Sequence, residues 1–147
     1  MSILAPLAPL RAHAGQRLTS GLDDATVARL AASHPALAAA IEAAATEYGR
    51  VREEVADLLE LDEAAQIDAL QAGFVNFYAE DCVTPYVALA ARGPWVVTLK
   101  GAVLYDAGGY GMLGFGHAPA PVLEAMARPQ VMGNVMTPGL AQRRLSD

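Results

Sequence analysis

Between Leu37 and Leu58, apolar or alanine positions recur at Leu37, Ile41, Ala44, Tyr48, Val51, Val55 and Leu58, in alternating steps of four and three. That period places one continuous stripe along a helix and commits the middle of the chain to packing that stripe against something. Glu42, Glu47, Arg50, Glu53, Glu54 and Asp57 fall off the stripe, with Arg50 and Glu54 spaced to pair at i,i+4 on a solvated face. A shorter helical pattern precedes it, carrying Val27, Leu30 and Ala31 behind Asp23 and Asp24 as cap and first-turn charge, and Pro35 ends that helix or begins the next. A third helix follows Asp62 as cap, with Ile67, Leu70, Phe74 and Phe77 at helical spacing and Gly73 weakening it. Two stripes joined so closely predict an antiparallel helical hairpin. A coiled-coil seam between subunits is the alternative, disfavoured by the alanine and tyrosine in its middle and by its few heptads.

After Asp81 the pattern changes. Pro85, Gly93 and Pro94 punctuate the chain, and Trp95–Leu99 and Ala102–Tyr105 read as short strands around Lys100-Gly101, with a further turn at Asp106-Ala107-Gly108-Gly109. Pro119–Ala127 has a helical pattern with its prolines in the first turn and Pro129 as the stop, and Leu140–Leu145 begins another helix. The expected fold class is α+β: a flexible N-terminus over 1–20, a helical segment over 21–80, and a small antiparallel β-meander with helices over 81–147.

A chain of 147 residues suits one domain. Ten basic against 16 acidic residues, for a net charge of −6, offer no field to hold a phosphate backbone, which argues against general nucleic-acid binding. Cys82 is the only cysteine, so neither an intrachain disulfide nor a thiolate-clustered zinc site can form, in keeping with a reducing cytoplasm. The apolar start, Met1–Leu10, lacks a positive n-region and is broken by Pro6 and Pro9; charges interrupt every other candidate membrane span. The sequence reads as soluble and unexported.

Gly109-Tyr110-Gly111-Met112-Leu113-Gly114 satisfies G-x-G-x-x-G, but Phe115-Gly116-His117-Ala118-Pro119 stands where a dinucleotide-binding fold needs a packed helix, and no later strand carries the ribose-binding acid. A kinase-type glycine loop fails for want of the strand lysine that follows it. His13, His34 and His117 show no metal spacing, and no serine sits in a G-x-S-x-G elbow. Gly108, Gly109, Gly111, Gly114 and Gly116 still free the backbone to pass close to something, either in a tight meander under a helix or at a ligand, cofactor or partner subunit.

Gly93-Pro94-Trp95 through Leu104-Tyr105-Asp106, then Gly114-Phe115-Gly116-His117, then Val122-Leu123-Glu124-Ala125-Met126, resemble in order the N-terminal part of class III pyridoxal-phosphate-dependent aminotransferases, over somewhat under half of the chain. The resemblance implies the small-domain part of a fold-type I enzyme, normally a homodimer with active sites at the subunit interface. Such enzymes move an amino group from an amine or amino acid to a 2-oxo acid, with pyridoxal 5'-phosphate as electron sink. The catalytic lysine, ring-nitrogen aspartate and phosphate-binding loop of that family belong to a large domain beyond the matched region, so the chain is expected to be an inactive leading fragment, with residues 21–80 as an extension. Lys100, its only lysine, reads as a turn residue. Tyr110, Gly111, Met112, Leu113 and Gly114, with Asn134 in a later loop, are the expected substrate-entrance or dimer-interface residues. The competing expectation is a non-enzymatic α+β protein-interaction module using the helical hairpin.

Overall fold

The computed structural model describes residues 2–75, 86–107 and 114–129. Within them the chain is α+β: six α-helices and one three-stranded antiparallel sheet in the order β1-β2-β3. The helices are α1 (Ala8–Arg11), α2 (Asp24–Ala31), α3 (Pro35–Val51), α4 (Ala56–Leu59), α5 (Glu63–Gln71) and α6 (Ala120–Ala127); the strands are β1 (Ala88–Arg92), β2 (Trp95–Thr98) and β3 (Val103–Tyr105).

Asp23 caps α2 as its sequence position requires, its carboxylate accepting the Thr26 N–H at 2.9 Å and the Thr26 hydroxyl at 2.8 Å. These bonds hold the Asp23 carboxyl below the usual range. Pro35 begins α3 rather than ending α2: it occupies the first turn, where no amide partner is needed, and His34 before it is extended.

The stripe on α3 buries Leu37, Ala40, Ile41 and Ala44, and this face lies on β1 and β2. Alanine at two of the four positions lets the helix sit close to the sheet. Among the described residues α3 packs chiefly on this sheet and not as the expected hairpin with the following helix. The helix also ends at Val51 instead of Leu58, and Arg50 bonds to Glu47 at 2.6 Å, with Glu54 acting on it only through its charge. The bend across 52–55 buries Leu59 and delivers Glu60, Asp62 and Glu63 to the N-terminal segment, and these tertiary bonds outweigh continuation of the helical period. Asp62 stands at the N-cap of α5, but its carboxylate accepts the Gln16 amide and makes no bond to its own helix. That helix stops at Gln71, short of Gly73 at φ +82°, and Phe74 is 79% exposed. Phe77 lies outside the described residues.

The two strands read from the sequence pair as a tight hairpin, with Trp95 opposite Tyr105, Val96 opposite Leu104 and Val97 opposite Val103. Gly101, at φ +71°, makes the turn between them and Thr98 closes it. Strand β1, Ala-rich and without a strand pattern in sequence, pairs with the other edge of β2, which is buried along its length. On the β3 side the Leu22 amide donates to the Val103 carbonyl at 2.8 Å, extending the hydrogen-bonded edge by one residue.

The N-terminus departs most from expectation. Instead of a flexible tail over 1–20, Ala5–Arg11 is helical and Leu7 and Leu10 are fully buried. They join Val27, Leu37, Ala40, Ile41, Ala44, Trp95, Val97 and Val103 in one core, so the helical segment and the meander do not have separate interiors. Residues 14–19 are then held along the α4–α5 junction by carboxylates: Glu60 accepts the Ala14 amide, Asp62 that of Gln16, and Glu63 those of Leu18 and Thr19. Among the described residues, no helix is long and apolar enough to cross a membrane.

Candidate functional site

The β1–β2 turn is Gly93-Pro94, with Gly93 at φ +53°. Across it the chain returns at His117, and two backbone bonds tie them: Gly93 N–H to the His117 carbonyl at 3.0 Å and His117 N–H to the Gly93 carbonyl at 2.8 Å. Gly116 makes this approach possible, since a Cβ there would stand 2.8 Å from Gly93 Cα. Asp106, leaving β3, donates its amide to the Pro94 carbonyl at 2.7 Å, and its carboxylate accepts the Nε2 proton of His117 at 2.9 Å. Both side chains are half-buried. The nearby Tyr86 phenol is pushed upward, first by burial and then by the Asp106 charge.

These segments enclose a cavity of about 360 Å³ lined by Gly93, Pro94, Asp106, Ala107, Gly114, Phe115, Gly116 and His117. Chemically it offers one oriented imidazole, a carboxylate committed to it and a glycine-lined wall, with Phe115 81% exposed beside it. Trp95 and Tyr105, 5.0 Å apart edge to face, stiffen the strands that carry this end of the sheet.

Gly114 is the one expected site residue found here; Tyr110, Gly111, Met112, Leu113 and Asn134 lie outside the described residues. Asp106 and His117 stand in the resembling segments, but neither is among the expected site residues. The signal available was the glycine on either side of each contact, at 93 and at 116, because two such backbones can touch where others cannot.

A second cluster was also missed. His13 donates from Nδ1 to Glu60 at 2.6 Å, and its Nε2 faces the Tyr48 hydroxyl at 2.7 Å, accepting that proton in the neutral ring. The His13 hydrogen bond and then the Ala14 amide hold the Glu60 carboxyl below its ordinary range. These residues, with Arg52, Glu53, Ala56 and Leu59, line an open cavity of about 350 Å³. No sequence spacing links residue 13 to 48 and 60.

Lys100 sits at the β2–β3 turn as expected, but points inward: it is 4% exposed and its Nζ donates to the Ala14 carbonyl at 2.9 Å and the Leu59 carbonyl at 3.4 Å. Among the described residues no group of three or more His, Cys, Asp or Glu side chains could hold a metal ion. Neither family models, curated proteins nor solved structures yield a match to this chain.

Proposed function

We propose that this chain is the leading, small-domain part of a class III pyridoxal-phosphate-dependent aminotransferase, an enzyme passing an amino group from an amine or amino acid to a 2-oxo acid. One observation carries the proposal: Gly93-Pro94, Asp106 and Gly114–His117, the segments on which the resemblance rests, converge on one cavity, and α6 follows directly. A homodimer in the cytoplasm belongs to the same proposal.

The residues present do not fit the cofactor itself. Lys100 is the only lysine in the sequence, and its amine is buried and bonded to two backbone carbonyls, out of reach of an aldehyde. No step of transamination is therefore assigned to this chain. Its own contribution is to shape a wall of the substrate entrance and to hold His117 in place through Asp106. The amine that binds the cofactor belongs to a large domain encoded elsewhere.

A protein-interaction module is the alternative. It is favoured by exposed apolar side chains, among them Val122, Leu123 and Met126 of α6 and Phe74 and Val75 after α5. Expression of the gene with all of its in-frame downstream sequence separates the two. The aminotransferase proposal expects a product with the visible absorbance of bound pyridoxal phosphate and measurable transamination, while residues 1–147 alone stay colourless after desalting. A longer product that is colourless and cannot be reconstituted, or a pyridoxyl adduct on Lys100 after borohydride reduction, overturns it.

A further inference from the structure

The sequence carries ten basic residues in a net charge of −6, yet three of them, with His13, line a single small cavity: Arg11, Arg17 and Lys100, closed by Leu10 and Gly15. The Lys100 amine is buried there and makes no salt bridge among the described residues. Two carbonyls take two of its three protons. A charge set against it is the Glu60 carboxylate, which Lys100 helps to hold low without bonding to it. A buried charge without a bonded counter-ion is costly, and an anion in the cavity relieves that cost.

The arginines complete the picture. Arg11 donates from Nε to the Gly101 carbonyl at 2.9 Å and from Nη1 to Asp24 at 2.8 Å, which fixes its guanidinium plane and leaves Nη2 without a described partner. Arg17 is exposed and makes no ion pair or hydrogen bond among the described residues, but its backbone is held on both sides, by Asp62 on the Gln16 amide and by Glu63 on the Leu18 amide. The fold thus anchors a free guanidinium at the mouth. Gly15, at φ +89°, keeps the wall tight: a Cβ there would meet the Leu61 carbonyl oxygen. Two carboxylates stand near, and both are engaged, Asp24 with Arg11 and Glu60 with His13 and the Ala14 amide.

We propose that this cavity binds a phosphate group. Its volume, about 230 Å³, suits a compact oxyanion and is below the roughly 300–1,000 Å³ of sites that take larger ligands. Cations approach from three separate residues rather than as one planar fork, which matches a tetrahedral dianion better than a carboxylate. The site is independent of the aminotransferase proposal, since it uses none of the cavity around His117.

Nuclear magnetic resonance titration of the full chain tests it, following the Gly15 and Gly101 amides at constant ionic strength with inorganic phosphate, a phosphomonoester such as glycerol phosphate, or chloride. Saturable shifts with phosphate, weakened about tenfold or more in Arg17→Glu, are expected from losing a charge-assisted bond and introducing repulsion. Tighter binding of the phosphomonoester assigns the site to a phosphorylated metabolite, and equal binding to free phosphate; either supports the proposal. Arg17→Glu is the variant of choice because the Arg17 side chain makes no bond among the described residues, whereas replacing Lys100 removes bonds to two segments. Non-saturating shifts shared with chloride, or binding unchanged in Arg17→Glu, overturn it.

Discussion

Gly116 and Gly114 sit two residues apart on one cavity wall, yet their backbones carry opposite demands. Gly116 is at φ +75° with Gly93 Cα 2.8 Å from the Cβ position, whereas among the described residues nothing lies within 4 Å of a Cβ at Gly114. Gly116→Ala is expected to cost about 1–3 kcal/mol in urea denaturation, and Gly114→Ala to stay within about 0.5 kcal/mol. Equal effects would contradict the bridge between Gly93 and His117. Tyr86 gives a second check through its phenol, which burial and then Asp106 raise above 10.0. A group raised in the folded state contributes stability that is full below its unfolded value and fades as pH climbs through the folded one. Ultraviolet titration should show Tyr86 ionising late, and Asp106→Asn should bring it down only part of the way, because burial is the larger cause.

At the scale of elements, the N-terminal turns are structural members of the core. Leu7→Ala is expected to destabilise by about 2–5 kcal/mol, the range for emptying a packed leucine site, measured by chemical denaturation. Glu63, itself buried, takes two amides with one oxygen, so Glu63→Ala should speed hydrogen exchange at Leu18 and Thr19 by about tenfold or more while the α3 amides keep their protection.

What could be read in advance divides along physical lines. The Asp23 cap and the Trp95–Tyr105 hairpin depend on neighbours in sequence and are legible there, whereas Pro35 marks a helix boundary in the sequence without telling whether it ends α2 or begins α3. Strand β1 is not, because Ala88-Leu89-Ala90-Ala91-Arg92 has no strand propensity and is held by pairing with β2. The packing of 1–20 escaped for a related reason: two prolines break its apolar run, and the carboxylates that fasten it lie some 45 positions away. The candidate site followed suit. Its glycines stand out in the sequence, but the Asp106–His117 pair exists only because two turns meet.

For the molecule as a whole, the single core implies that the N-terminal segment cannot be trimmed away. A chain lacking residues 2–11 loses two fully buried leucines and uncovers the inner face of α3 and the sheet. It is expected to keep helical far-ultraviolet circular dichroism, bind the dye ANS and unfold without a sharp transition, in contrast to the full chain. A sharp transition in the shortened chain would show that the core closes without them.

Arg11 meets Gly101 across 90 positions and Lys100 meets Ala14 across 86. On a ribosome adding about 5–20 residues per second, the segment that carries Arg11 and Ala14 therefore waits on the order of 5–20 s for the strand turn that fastens it. Throughout that interval Leu7 and Leu10 lack the core that covers them in the folded chain, which makes them a natural handle for a chaperone during synthesis.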